Sequence, residues 1–394
     1  MGPGTRLAIA SIGGIYVLKA IVLATRRTSM TRAGLSVFLL GWPGVVPDRF
    51  QRRGAPRLIH PTRFLAAWTR MAGGALCVIL FGIYAPFLSD RVLGLAGIAA
   101  LLLTLHLGIF DLLPWLLRWA GFDAPLLFDR PWAACSLAEF WGRRWNLAFV
   151  EMNERLLLRP LHRRLGRNTS RLALFALSGL LHEAGLSWPA GAGWGLPFAY
   201  FMLQGLMIQA EERFGVSGRA WTYFWVLTPT PWLFHEPFRR ALIVPFYRTL
   251  HEWMTHHNWE WYLSLLLYAA AAGTVSVLAA SLQALLRLGW RDDIAKLRRF
   301  NQKVFWVYGF YILLSIVSFA VLTWRLHDAF LAGDTTARWL AGFIAVFWTV
   351  RVLVDVFCYD HRDWPPGNAM VAGHALVTTL FCFLATVYWV AAVG

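Results

Sequence analysis

The chain has 394 residues, of which 58% are hydrophobic and only 15% are charged, and its formal net charge at pH 7 is +16. Soluble domains carry about 25% charged residues, so this composition excludes an ordinary soluble globular protein. The basic residues cluster in short loops rather than on a basic domain, which indicates positive-inside loops and no nucleic-acid binding.

Apolar runs of about 20 residues, the length that a helix needs to cross a bilayer, recur along the sequence. In the first part of the chain, residues 7–24, 64–86 and 92–117 are predicted spans, whereas residues 35–46 are too short to cross. Residues 136–168 interleave Trp, Arg and Glu with Leu and Phe, a pattern typical of a helix that lies at the membrane interface.

The second part of the chain returns to apolar segments. Residues 171–189 and 196–211 are predicted spans, and prolines at positions 229, 231, 237 and 245 interrupt residues 220–247. Such breaks are tolerated at membrane depth only where protein or a water-filled cavity satisfies the freed backbone. Further spans are predicted at residues 260–286, 303–325, 338–358 and 370–392. The sequence therefore predicts an all-α polytopic membrane protein with about nine to eleven transmembrane helices, some short or broken, around an internal reaction chamber.

The stretch "LSGLLHEAGLSWP", residues 177–189, places His182 and Glu183 inside a predicted span. An ionisable residue at membrane depth is a functional candidate by default, because its cost in hydrocarbon needs a compensating reason. On a regular helix Ser178 and Gly185 share the face of His182 and leave room beside the imidazole. Glu183 points about 100° away from that face, so a catalytic and a structural role are both open.

The stretch "AEFWGRRWNLAF", residues 138–149, is the second candidate motif. On a regular helix Glu139 and Arg143 form an i,i+4 pair, and Trp141 and Trp145 stack one turn apart. Taken alone, such a segment is typical of an interfacial membrane anchor.

Together, "FWGRRWN" and "LSGLLHE" resemble the wax-synthase-like branch of the membrane-bound O-acyltransferase family, whose members show F-W-x-R-R-W-N and then a helix bearing G-x-x-H-E. The segments "FLLGWPGVVPDRF" (38–50) and "PWLFHEPFRRALIVPF" (231–246) also resemble that branch. The resemblance covers about residues 5–285. The charged linker "RLGWRDDIAKLRRFNQK" marks a predicted boundary near residue 295. It divides the chain into a catalytic domain, residues 1–294, and an appended membrane module of about three helices, residues 295–394, whose role is unknown.

The resemblance implies transfer of an acyl group from acyl-CoA to the hydroxyl of a lipophilic acceptor, with a long-chain alcohol and a wax-ester product favoured. It implies that His182 and Asn146 are catalytic. An alcohol needs a base to take its proton as it attacks a thioester, and a neutral buried histidine suits that role. The amide of Asn146 is a candidate donor to the oxyanion. The sequence shows no recognisable Ser or Cys nucleophile motif, so we expect direct transfer, with no cofactor and no metal besides the acyl-CoA cosubstrate.

Other polar residues are candidates for substrate binding. Arg143 and Arg144 suit either the phosphates of CoA or lipid headgroups, and these alternatives stay open. Gln204, Gln209 and Glu211 are candidates to line the acceptor side, because polar groups in a span seldom face lipid. The remaining candidates for substrate binding are Trp145, Ser178 and Glu183.

The apolar runs predict an integral membrane protein, and we expect it in the cytoplasmic (inner) membrane of a bacterium. The loops within residues 26–57 and 155–171 are expected to be cytoplasmic, which places acyl-CoA entry on that side. Acyl-CoA, the hydroxyl acceptor and membrane lipid are the expected partners, while the oligomeric state is open.

Other classes of protein compete with this interpretation. The box "HEWMTHH", residues 251–257, is similar to the histidine boxes of membrane di-iron enzymes, although such enzymes need about eight ligand histidines. A transporter or scaffold would use acidic residues in a span, for which Asp355 with Asp360 is the nearest candidate, but the adjacent "HRDWPPGN" favours a solvated loop. An acyltransferase-like fold that acylates a sterol or secondary metabolite is also compatible with the motifs.

Overall fold

A computed structural model describes residues 1–25, 30–45, 47, 50, 61–153, 159–255, 259–287, 289–359 and 368–393. All regular secondary structure within these ranges is helical, which confirms the predicted all-α class. Seven helices in the described ranges are long and apolar enough to cross a membrane: Pro3–Ala24, Thr62–Ile83, Asp90–Arg118, Glu260–Leu282, Arg299–Arg325, Thr335–Phe357 and Met370–Val393. The internal reaction chamber stays a prediction.

The α-helices are α1 (Pro3–Ala8), α2 (Gly14–Thr25), α3 (Arg32–Ser36), α4 (Pro61–Ile83), α5 (Asp90–Thr104), α6 (Phe110–Trp119), α7 (Leu137–Glu139), α8 (Leu147–Asn153), α9 (Arg159–His182), α10 (Trp188–Ala190), α11 (Leu196–Phe214), α12 (Arg219–Leu227), α13 (Thr230–Leu233), α14 (Glu236–Phe238), α15 (Val244–Thr255), α16 (Trp259–Arg287), α17 (Trp290–Ala295), α18 (Arg299–Arg325), α19 (His327–Leu331), α20 (Thr335–Phe357) and α21 (Asn368–Val393). Short 3₁₀ turns occur at Ala85–Phe87 and Pro131–Ala133. Wider π-helical segments occur at Ile9–Gly13, Val37–Gly41, Leu105–Ile109, Phe140–Arg144, Glu183–Ser187 and Arg239–Ile243.

The predicted interfacial helix over residues 136–168 is wrong as a single element. The structure divides this region into α7, a π segment, α8 and the start of α9. Asn146, between the π segment and α8, has a φ of 46°, which no regular right-handed helix accommodates. The interruption of residues 220–247 is confirmed, because α12, α13, α14, a π segment and α15 follow one another there.

The chain forms two compact units. The first comprises residues 1–59, 88–99 and 109–247, and the second comprises residues 60–87, 100–108 and 248–394. The second unit therefore holds residues on both sides of position 295. The predicted boundary between a catalytic domain and an appended module stays a prediction about function.

In the first unit, α9 and α11 pack closely through small residues. A Cβ atom at Gly179 would lie 2.8 Å from the Cα atom of Phe198, so only glycine allows this approach. Further along, a Cβ atom at Gly205 would lie 3.1 Å from side-chain atoms of Leu172 and Phe175. Because the backbones of α9 and α11 approach this closely, the relative positions of their ends are also constrained.

A buried lysine joins α2 to the short apolar segment Val37–Gly41 that follows α3. Lys19, on α2, donates from Nζ to the carbonyl oxygens of Phe38 at 2.7 Å, Leu39 at 3.0 Å and Trp42 at 2.6 Å. An ammonium group has three protons, so every donor of this buried charge is satisfied.

The second unit has its own core, and that core contains side chains from both sides of position 295. Its buried members include Leu263, Leu267, Ile316, Trp348 and Leu384. Residues 260–287 are therefore packed together with the last three spans.

The solvated-loop interpretation of Asp355 is wrong. Asp355 is fully buried on α20 and accepts a hydrogen bond from Thr378 Oγ1 at 2.6 Å. Arg351, one turn before it, has its Nη1 atom 3.6 Å from Asp355 Oδ1. A buried carboxylate is tolerated when a hydrogen bond and a cation compensate it. Asp360 lies outside the described residues.

Candidate active site

The motif "FWGRRWN" forms a π turn rather than a regular α-helix. Because a π turn hydrogen-bonds residues five apart, it brings i and i+5 together. Glu139 therefore pairs with Arg144 at 2.8 Å, from Nε to Oε1, and the i,i+4 pair expected with Arg143 does not form. For the same reason Trp145 stacks on Phe140, with centroids 5.6 Å apart and an interplanar angle of 14°, instead of on Trp141.

The carboxylate of Glu139 is the centre of a local hydrogen-bond network. It accepts from the backbone N–H of Cys135 at 2.8 Å and from the Arg144 guanidinium. These contacts lower the pKa of the Glu139 carboxyl, with the Cys135 backbone contact the largest cause. Arg144 also donates to the carbonyl oxygen of Asp129 at 3.1 Å. Arg144 thus holds the π turn against the preceding loop.

Arg143 differs from its neighbour. Its side chain is exposed, and within the described part of the chain it makes no hydrogen bond or ion pair. Of the two arginines of the motif, Arg143 is therefore the one whose guanidinium remains available to an anion.

Asn146 lies at the junction of the π segment and α8. Its Oδ1 accepts from the backbone N–H of Phe149 at 3.3 Å, so the side chain caps α8. Asn146 is exposed, and no hydrogen bond joins it to His182 among the described residues. Its side-chain amide N–H groups are not used in the cap.

Two polar residues of α11 hold the π turn from the other side. Glu211 accepts from the backbone N–H groups of Leu137 at 2.7 Å and Ala138 at 3.3 Å, which start α7. Gln204 is fully buried, accepts from Trp141 Nε1 at 3.1 Å and donates to the carbonyl oxygen of Trp225 at 2.7 Å. Both residues thus position the motif.

Phe201, also on α11, connects the two sequence motifs. Its ring centroid is 5.7 Å from that of Trp141 and 4.3 Å from that of His182. The structure therefore brings "FWGRRWN" and "LSGLLHE" to the same place around one aromatic ring. One Phe in an apolar span carries no distinguishing signal, so Phe201 cannot be recognised from the sequence as the connecting residue.

His182 is the last residue of α9, where the helix widens into the π segment Glu183–Ser187. Its Nδ1 atom lies 2.7 Å from the backbone carbonyl oxygen of Ser178. A carbonyl oxygen can only accept, so Nδ1 must carry the proton and the neutral ring presents an unprotonated Nε2. No hydrogen bond within the described chain uses Nε2. A Cβ atom at Gly185 would meet nothing within 4 Å, so space is present on the turn that follows His182.

Glu183 caps a helix. Its Oε1 accepts from the backbone N–H groups of Gly195 at 2.9 Å and Phe198 at 3.0 Å, at the start of α11. A carboxylate at a helix N-terminus satisfies orphan donors and interacts favourably with the helix dipole. Of the two roles that the sequence left open for Glu183, this geometry favours the structural one.

A buried network beside this cap has no recognisable signal in the sequence. His235 Nδ1 accepts from the backbone N–H of Phe238 at 3.2 Å, and Nε2 lies 3.2 Å from Ser187 Oγ. Nε2 therefore carries the proton and donates to Ser187, whose hydroxyl in turn donates to the carbonyl oxygen of Gly193 at 3.4 Å. Both ring nitrogens of His235 are thus occupied, whereas among the described residues the Nε2 atom of His182 makes no hydrogen bond.

Within the described residues no group of three or more His, Cys, Asp or Glu side chains is arranged to hold a metal ion. His251 contacts the carbonyl oxygen of Ile83 at 3.1 Å. His256 and His257 of the histidine box lie outside the described residues.

Comparison with known proteins supports the motif assignment. Residues 124–203 match the family model described as "Membrane bound O-acyl transferase family". This stretch contains both motifs, and the match confirms the resemblance that they indicated. Residues 124–203 of the chain are therefore similar to the membrane-bound O-acyltransferase family.

Curated relatives are similar over part of their length. The long-chain-alcohol O-fatty-acyltransferase of Simmondsia chinensis is 30% identical over 135 residues, 29% of this chain and 38% of that protein. The probable long-chain-alcohol O-fatty-acyltransferase 9 of Arabidopsis thaliana is 30% identical over 123 residues, 28% of this chain and 36% of that protein. The acyl-CoA–sterol O-acyltransferase 1 of Arabidopsis thaliana is 29% identical over 138 residues, 30% of this chain and 39% of that protein. The chain thus spans well under half the length of these relatives, and no solved structure matches it.

Proposed function

We propose that this protein is a membrane-bound O-acyltransferase that moves an acyl group from acyl-CoA to the hydroxyl of a lipophilic acceptor, with His182 as general base. The observation that carries the proposal is the hydrogen bond from His182 Nδ1–H to the Ser178 carbonyl oxygen at 2.7 Å. It fixes the tautomer in which Nε2 is free to take a proton.

The proposed reaction is a direct transfer. The acceptor oxygen attacks the thioester carbon while its proton moves to His182 Nε2, and the tetrahedral intermediate then collapses with cleavage of the C–S bond. The proton on Nε2 passes to the departing thiolate, so the imidazole returns to its starting state. The Ser178 carbonyl dipole stabilises the imidazolium that exists between these two proton transfers.

The other candidate residues divide into two groups in this proposal. Asn146 is proposed to donate its side-chain amide to the oxyanion, and Arg143 to contact the phosphates of CoA. Trp145, Gln204 and Glu183 are proposed to position the motif and the helix ends around His182. The contacts that support this division are the stack of Trp145 on Phe140, the bond of Gln204 with Trp141 and the cap by Glu183.

The favoured acceptor is a long-chain alcohol, which would give a wax ester. Two of the relatives are named as long-chain-alcohol acyltransferases and the third as a sterol acyltransferase. A sterol is therefore the second candidate acceptor. The proposed site of action is the inner membrane of a bacterium, with acyl-CoA entering from the cytoplasmic side, where positive-inside loops are expected.

The test uses membranes that contain the full chain, labelled acyl-CoA, and a panel of long-chain alcohols and sterols. We expect ester to form with an alcohol and to fall by about 10²–10⁴-fold in His182→Ala, the contribution of a general base. Leu180→Ala is the matched control, because this side chain is two residues away and 58% exposed. Equal ester formation in His182→Ala and the wild type would contradict the proposal, and exclusive use of sterols would correct the acceptor.

A further inference from the structure

In the second compact unit, three polar side chains form a chain of hydrogen bonds that the proposed transfer does not use. Ser264 Oγ lies 3.1 Å from His327 Nε2, and His327 Nδ1 lies 3.0 Å from Asp328 Oδ1. An ionised carboxylate only accepts, so Nδ1 carries the proton and Nε2 accepts from the Ser264 hydroxyl. A hydroxyl, a base and a carboxylate that orients the base are thus connected in the order that nucleophilic catalysis requires.

The three residues lie where membrane spans begin and end. Ser264 is in the second turn of α16, whose candidate span starts at Glu260, and His327 lies two residues after the candidate span that ends at Arg325. The His327 side chain is only 9% exposed, whereas the Asp328 side chain is fully exposed. The imidazole of His327 is therefore shielded from water, while the carboxylate of Asp328 is in contact with it.

Aromatic side chains hold the imidazole in place. The ring of Tyr268 stacks on that of His327, with centroids 4.2 Å apart and an interplanar angle of 19°. Trp324 packs edge-on against Tyr268 at 5.6 Å. A base that is packed on one face and hydrogen-bonded at both nitrogens keeps the orientation that proton transfer from Ser264 needs.

The surroundings of Ser264 favour an apolar substrate. Trp261 and Tyr268 are three before and four after Ser264, so they share its face of α16, and Leu265 is the next residue along the helix. The exposed fractions of Trp261, Leu265 and Tyr268 are 68%, 56% and 45%. Exposed aromatic and aliphatic side chains at the end of a span are typical of the headgroup boundary, where acyl chains meet water.

We propose that Ser264, His327 and Asp328 form a second, hydrolytic site that cleaves acyl esters of lipids at the membrane surface. Ser264 Oγ attacks the ester carbonyl carbon as its proton moves to His327 Nε2. The ester C–O bond then breaks, and the leaving alcohol takes that proton. Water then attacks the carbonyl carbon of the acyl-serine as one of its protons moves to Nε2. The bond between that carbon and Ser264 Oγ breaks, Oγ takes the proton back from Nε2, and a carboxylic acid is released. Asp328 is a positioning residue, because it acts through His327.

The first test is labelling of the purified full-length protein with a long-chain alkyl fluorophosphonate, followed by identification of the modified residue. We expect modification at Ser264 in the wild type and its loss in Ser264→Ala. Ser276→Ala is the matched control, since Ser276 lies on the same helix and its hydroxyl donates to the carbonyl oxygen of Ala272, at 3.0 Å. Absence of label at Ser264 in the folded wild type overturns the proposal without any variant.

The second test measures hydrolysis of a long-chain p-nitrophenyl ester by the same protein. Ser264→Ala and His327→Gln should each lower the rate by about 100-fold or more. Asp328→Asn should lower it by about tenfold, and Asp328→Glu should recover part of that loss, which a purely structural contact would not predict. Ser276→Ala should leave the hydrolysis unchanged. The assay contains no acyl-CoA and no added alcohol, so it measures the second site apart from the proposed acyl transfer. Hydrolysis that survives in Ser264→Ala contradicts the second site.

Discussion

At the scale of single residues, two adjacent arginines that look equivalent in the sequence have different environments. Arg144 bonds the Glu139 carboxylate and the Asp129 carbonyl oxygen, whereas Arg143 is exposed and makes no ion pair within the described residues. The π turn causes this difference, because it pairs Glu139 with the fifth residue after it instead of the fourth.

The two arginines should therefore respond differently to substitution. Arg143→Ala should raise KM for acyl-CoA by about two- to fivefold with little change in kcat, since an exposed charge contact contributes up to about 1 kcal/mol. The increase should shrink at high salt, where exposed charges are screened. Steady-state kinetics at two ionic strengths measures this effect.

Arg144→Ala should act on stability instead. It leaves Glu139 without its cation and should lower the free energy of unfolding by about 1–3 kcal/mol, because a partly buried charged acceptor loses a hydrogen bond. Thermal melts of the purified protein measure the loss. A variant pair in which Arg143→Ala destabilises the fold and Arg144→Ala only raises KM would contradict this division.

At the scale of elements, both motifs lie at π segments, Phe140–Arg144 and Glu183–Ser187. A π turn contains one extra residue relative to an α turn, so it rotates everything that follows by about 100°. That rotation directs Trp145 onto Phe140 and leaves Asn146 with a left-handed backbone. The widened turns thus determine where the motif side chains lie.

Deletion of Gly142 tests the π turn of "FWGRRWN". Removing one residue should convert it to an α turn, break the Glu139–Arg144 pair and abolish ester formation, as measured with labelled acyl-CoA. Gly142→Ala is the matched control, because it keeps the chain length and a Cβ atom there would meet nothing within 4 Å. Full activity of the deletion variant together with loss of activity in Gly142→Ala would refute the argument.

At the scale of the whole molecule, the second unit draws residues from both sides of position 295 into one core. Leu263, Leu267 and Ala270 pack in the same buried cluster as Ile316, Trp348 and others from the last three spans. Residues 248–294 therefore depend on residues 295–394 for packing partners.

Truncation after residue 294 should consequently give little folded protein, because the apolar face of α16 loses its partners. Coexpression of residues 1–294 with residues 295–394 should restore the yield of folded protein, since the buried contacts between the two fragments can form again. Size-exclusion chromatography of the detergent-solubilised protein measures the recovery. A monodisperse and active fragment 1–294 would show instead that the last hundred residues are a separable module.

The sequence predicted the helical class and the position of the broken segment, because apolar length and proline placement control these features directly. The pairing of the two motifs came from the resemblance to a known family. It did not predict the π turns, since α and π turns use the same residue types and differ by one residue. The roles of Glu183 and Phe201 depend on how α11 approaches α9, which no local pattern in either helix reveals. Asp355 was misassigned for the same reason, because its partner Thr378 comes from another helix.

The central claim is that His182 is the general base of an acyl transfer. The most direct measurement is the rate of ester formation from labelled acyl-CoA and a long-chain alcohol by purified wild-type protein and His182→Gln. Glutamine can still donate to the Ser178 carbonyl oxygen but cannot take a proton, so the fold should be retained and the rate should fall by about 10²–10⁴-fold. A folded His182→Gln variant that forms ester at the wild-type rate would contradict the claim.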